Sequence, residues 1–185
     1  MKKILITLLM ILSSLVVFGQ PTLEDDVKLF KRLIDYSEKK NITDSDIKAC
    51  NRIADTLMTH NCYDYVIKRN DTLFCINGLT LLFGKICERA NSRYSIKSYM
   101  KYLMANKGSA EEQLAFSFGD IFIKNPELVL NEIEKYSLEK RGLFLDAIAW
   151  GINNKEMIKF KNKSKELYKR HKKSMDYIIN ENSKY

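Results

Sequence analysis

Thr43–His60 reads TDSDIKACNRIADTLMTH, and this stretch decides the fold class of the chain. Ile47, Cys50, Ile53, Ala54, Leu57 and Met58 recur at helical intervals, so at about 3.6 residues per turn they form one apolar stripe. Thr43 to Asp46 supply cap side chains whose oxygens accept the backbone N–H groups that a first helical turn leaves without partners. The spacing predicts a helix running to about His60 with one face turned to a core.

The pattern extends in both directions. Upstream, Thr22 and Asp25 have capping-box spacing ahead of Val27, Phe30, Leu33 and Ile34, which predicts a helix to about Asn41. Downstream, Leu73, Phe74, Ile76, Leu79, Leu81, Leu82, Phe83 and Ile86 are apolar nearly all round, as in a buried central helix. Gly78 and Gly84 weaken that reading, and the alternation of Tyr63, Tyr65 and Ile67 before Asn70-Asp71 keeps a short β-hairpin open. Ile96, Tyr99, Met100 and Leu103 mark the next helix, closed by Gly108. Ser109 and Glu112 form a capping box ahead of Leu114, Phe118, Ile121 and Phe122, and Asn125-Pro126 pairs a cap with an N1 proline. A break near Ser137 precedes Leu143, Phe144, Ile148, Trp150 and Ile152, and Gly151 to Asn154 separate that helix from a basic tail. This gives an all-α chain of eight helices joined by short connections, hence stacked antiparallel αα-hairpins in a short α-solenoid or an irregular bundle. The Phe-x-x-Asn-Pro-Glu joint at Phe122 to Glu127 and the hairpin-sized spacing from Ile96 to Ile152 resemble HEAT or armadillo α-solenoid repeats. That resemblance implies stacked helix pairs and no particular activity.

Met1 to Gly19 has the grammar of a secretory signal peptide: Lys2 and Lys3, an apolar run from Ile4 to Phe18, then Val17 and Gly19 before a cut ahead of Gln20. The run is shorter than the roughly 20 apolar residues of a membrane span. Its Met-Lys-Lys start looks bacterial, so the expected destination is the periplasm or the exterior. A helical domain over residues 20–153 and a basic amphipathic helix over residues 154–185, docked on the same domain, are expected to remain.

The formal charge of +8 is unevenly placed. Residues 20–153 carry 19 basic and 19 acidic side chains, whereas residues 154–185 carry 10 and 4. In the tail, Met157, Phe160, Leu167, Met175 and Ile178 fall along one side, with Lys165, Lys169, Lys172 and Lys173 mostly elsewhere. Such a helix docks by its apolar stripe, or meets an acidic partner or an anionic membrane surface. Nucleic acid is not expected as a partner of an exported protein.

Cys50, Cys62, Cys75 and Cys87 lie in one window, and export permits disulfides. Cys75 and Cys87 on one helix stand roughly 18 Å apart along the axis, far beyond the roughly 6 Å that a disulfide spans between Cα atoms. Symmetry about the point between Lys68 and Arg69 selects Cys50–Cys87 and Cys62–Cys75, provided that a helix breaks near His60-Asn61. Four buried, reduced cysteines are the alternative, because free cysteine packs well on apolar stripes.

Signals for chemistry are sparse. The sequence has no C-x-x-C, H-E-x-x-H, P-loop or G-x-S-x-G, so no metal or cofactor is expected. Among the carboxylates near aromatic residues, Glu111 and Glu112 suit helix capping, and Asp146 beside Trp150 is the candidate for acid-base work on cell-wall material. Tyr94, Tyr99 and Tyr102 interleave with Arg93, Lys97 and Lys101, an aromatic and basic mixture suited to a partner surface. The sequence therefore predicts an exported, non-enzymatic protein-binding domain, with an immunity-type toxin inhibitor as its more specific form and an envelope enzyme or a peripheral membrane protein as alternatives.

Overall fold

The computed structural model describes residues 22–60, 76–106 and 111–184. The segment expected from the sequence to be a signal peptide, Cys62, Cys75 and the Tyr63–Ile67 alternation lie outside the described residues, as do Gly108 and Ser109. Ten helices make up the described part: α1 (Leu23–Glu38), α2 (Asp44–Thr59), α3 (Ile76–Ala90), α4 (Arg93–Ala105), α5 (Glu111–Lys124), α6 (Pro126–Ile133), α7 (Leu138–Gly151), α8 (Asn154–Lys163), α9 (Lys165–Arg170) and α10 (Lys172–Asn182). The described residues contain no strand, and none of their helices is long and apolar enough to cross a membrane.

The helix starts follow local chemistry. Thr22 with Asp25 and Thr43 with Asp46 form reciprocal capping boxes, and the Asn125 side chain caps α6 ahead of Pro126. Ser92 and Ser95 build another box at the start of α4. The expected single tail helix is instead three, broken at Ser164 and His171, which accounts for ten helices where the sequence predicts eight. The break at His171 coincides with a tertiary contact. His171 is buried with Nδ1 3.0 Å from Glu134 Oε1, a close contact without hydrogen-bond alignment, and Ser174 Oγ donates to the same oxygen at 2.8 Å.

Helices α1, α3, α5 and α7 pack side by side as one row that α10 extends, while α2, α4 and α6 form a second row. Glycines set the spacing of the first row. A Cβ on Gly84 of α3 would lie 2.5 Å from Ser117 Cβ of α5, and one on Gly151 of α7 would lie 1.9 Å from the Ala115 carbonyl oxygen of α5. Gly84, which weakens a helix by propensity, thus sits inside α3 because the neighbouring helix leaves no room for a side chain.

Between the rows, Phe83, Tyr99, Phe118, Phe144 and Tyr136 form a chain of ring contacts with centroids 5.1 to 6.0 Å apart. The tail closes one end of this core. Leu167, Met175 and Ile178 are buried in it, and Asn182 donates to the carbonyls of Ala149 (2.7 Å) and Ile152 (2.6 Å), satisfying acceptors at the end of α7.

Candidate functional site

The second row holds a groove of about 470 Å³ between α2 and α4. Two side-chain contacts fix its walls: Ser92 Oγ donates to Asp44 Oδ1 at 2.6 Å, and Asn51 Nδ2 donates to Ser98 Oγ at 2.9 Å. Because residue 44 meets residue 92 and residue 51 meets residue 98, α2 and α4 run parallel in near-constant register. That register sets Lys97 one to two residues beyond Lys48 along the groove and Lys101 likewise beyond Arg52, two staggered layers of cations one helical turn apart. The charged groups lining the groove are these four cations and Asp55, all exposed. Among the described residues none of the four cations is ion-paired. Tyr94, Tyr102, Tyr136, Met104 and Ala105 complete the lining.

Neighbouring contacts hold this arrangement. Arg93 Nε and Lys135 Nζ each lie 2.5 Å from Glu132 Oε1, clamping the start of α4 to α6. Burial pushes the Glu132 carboxyl up, but the hydrogen bonds from Lys135 and Arg93 outweigh it and hold the group below its ordinary value. At the start of α2, Lys39 Nζ donates to Asp46 Oδ1 at 2.7 Å; with the Thr43 backbone N–H, this lowers Asp46 to about 2. A shallower groove of about 310 Å³ between α1 and α2 shares Arg52 with the first and adds Arg32.

The structure thus brings together Tyr94, Lys97, Lys101 and Tyr102, all singled out from the sequence, and adds the α2 wall of Lys48, Asn51 and Arg52, which the sequence reading missed. Tyr99 is the correction. It is fully buried, its ring stacks between Phe83 and Phe118, and its hydroxyl donates to the Leu114 carbonyl at 3.2 Å, so it offers nothing to a surface partner. Its place on the stripe of Ile96 and Leu103 explains this, and Tyr102 is corrected with it: it is buried with its hydroxyl 3.2 Å from Thr80 Oγ1, so it backs the groove from inside, and of the three tyrosines only Tyr94 is exposed.

The basic tail residues lie elsewhere. Lys165 lines a groove of about 630 Å³ with Lys124, Glu127, Glu166 and Arg170, where Arg170 is paired with Glu127. Lys169 pairs with Glu166, and Lys172 and Lys173 are exposed on α10, which packs chiefly on α7. Asp146 lines none of these grooves; its exposed carboxylate accepts the Tyr177 hydroxyl at 2.7 Å, linking α7 to α10.

Cys50 and Cys87 are buried free thiols on the packed helices α2 and α3. Burial pushes Cys50 up to about 12, and burial together with its neighbour Cys50 pushes Cys87 well above its ordinary value. Helix α2 ends at Thr59, the break that the nested cysteine pairing requires.

Comparison with known protein families, with curated proteins and with solved structures finds no match for the chain.

Proposed function

We propose that the chain is an exported helical binding domain that holds a protein partner in the α2–α4 groove. The observation behind this reading is the concave surface itself: four cations unpaired among the described residues, set in two layers beside the exposed Tyr94, on walls joined by the Ser92–Asp44 and Asn51–Ser98 hydrogen bonds. Arg52 and the exposed Tyr94 are of the types enriched at partner surfaces, and the unneutralised lysines add charge that an acidic partner would complement. Parallel α2 and α4 beside the row of α1, α3, α5 and α7 also support a short α-solenoid of stacked helix pairs. In an oxidising compartment the packing of α2 on α3 favours the Cys50–Cys87 pairing.

Two features weigh against the alternatives. The tail's Leu167, Met175 and Ile178 are occupied by the core rather than free for lipid, and Asp146 is engaged with Tyr177 outside any of these grooves. A photo-crosslinking residue at position 94 tests the proposal. In envelope extract it should yield a discrete adduct with a second protein that disappears with Lys97→Glu; an adduct unaffected by that change, or no adduct, would contradict the groove as the binding surface.

A further inference from the structure

We infer that the groove takes an extended segment of its partner containing a run of about four consecutive acidic residues. This rests on the reading of the groove as the binding surface and adds the chemistry of what lies in it. The repeat of the groove matches the repeat of an extended chain. Lys48 and Arg52 on one wall, and Lys97 and Lys101 on the other, are each separated by four residues, a rise of about 6 Å along the helix. In an extended chain, side chains two residues apart point the same way and are spaced by about 6.7 Å. A segment laid along the groove therefore sends its first and third carboxylates to Lys48 and Arg52, and its second and fourth to Lys97 and Lys101.

The ends of the groove limit the run. Asp55 lies one turn beyond Arg52 and repels a further carboxylate there, where Met104 and Ala105 offer apolar contact instead. At the other end Tyr94 is partly exposed. From Tyr94 to Ala105 the α4 wall runs for about 16 Å, room for roughly five extended residues. Arg93 does not contribute, because Glu132 already holds it. The groove also keeps its charge where the surrounding sequence is neutral: residues 20–153 have equal numbers of acidic and basic side chains.

The test uses the full chain and fluorescein-labelled peptides in an anisotropy titration at low salt. One peptide carries four consecutive glutamates between Gly-Ser flanks; a second has the same composition with the glutamates separated by three residues each. The consecutive peptide should bind at least ten-fold tighter than the spaced one. Lys97→Gln/Lys101→Gln should weaken it by about ten-fold or more, and Lys172→Gln/Lys173→Gln on α10 should leave it unchanged. Both pairs are exposed, so circular dichroism should show the wild-type fold. Equal affinity for the two peptides, an effect of the α10 pair equal to that of the α4 pair, or tighter groove-dependent binding of a single-stranded oligonucleotide or of anionic vesicles would overturn the acidic segment. If the peptides fail while the crosslink at position 94 still depends on Lys97, this inference falls and the groove as a protein-binding surface stands.

Discussion

Gly151→Ala makes propensity and packing disagree in sign. In a helix, alanine is favoured over glycine by about 0.5–1 kcal/mol, so sequence reasoning alone predicts a more stable protein. The structure predicts the opposite. The new Cβ would lie 1.9 Å from the Ala115 carbonyl oxygen and 2.5 Å from its carbon, whereas ordinary contacts begin at 3.4 Å. The obstacle is the backbone of α5, not the end of a flexible side chain, so α5 and α7 must separate. Overpacking of this kind costs about 1–3 kcal/mol, and a chain of this size loses about 2–4 °C in Tm per kcal/mol. Gly151→Ala should therefore melt roughly 2–12 °C below wild type. Gly142→Ala is the internal control, on the same helix with nothing within 4 Å of the added methyl group, and should melt about 1–4 °C higher. Thermal denaturation of both variants, followed by circular dichroism, measures the contrast. A Gly151→Ala protein as stable as Gly142→Ala would refute the close approach of α5 and α7.

Two further outcomes follow from buried polar groups. Asn182→Ala strips the last carbonyls of α7 of their donors and should cost about 1–3 kcal/mol, read as a lowered denaturant midpoint; an unchanged midpoint would mean that water replaces the amide. Asp46 is held at about 2 in the folded chain against an ordinary 3.8, so its contribution is complete above about 4 and disappears as the pH falls toward 2. Asp46→Asn should lower Tm at neutral pH and flatten its fall between pH 4 and 2, and parallel melting curves for the two proteins would contradict the Lys39–Asp46 pairing.

The parts legible in the sequence are those set by neighbours along the chain. Thr22, Thr43 and Asn125 announce their helices because a cap bonds to backbone two or three residues away. The tail breaks at Ser164 and His171 are hidden, because the apolar stripe runs on through them and only the contact of His171 with Glu134 shows where the chain must turn. Gly84 and Gly151 read as helix breakers, although what fixes them is a neighbouring helix that no local pattern reveals. The candidate site is half visible. Tyr94, Lys97 and Lys101 share one helix and stand out, but Lys48 and Arg52 join them only through the pairing of α2 with α4. Equal totals of acidic and basic residues over 20–153 conceal that separation of charge.

The central claim is that the α2–α4 groove, not the more basic tail, receives the acidic partner. Amide chemical-shift mapping of the isotopically labelled chain, titrated with the four-glutamate peptide, addresses it directly. Saturable shifts should be concentrated in residues 48–55 and 94–105, with little change over residues 165–173. Shifts concentrated in residues 165–173, with the groove unmoved, would contradict it.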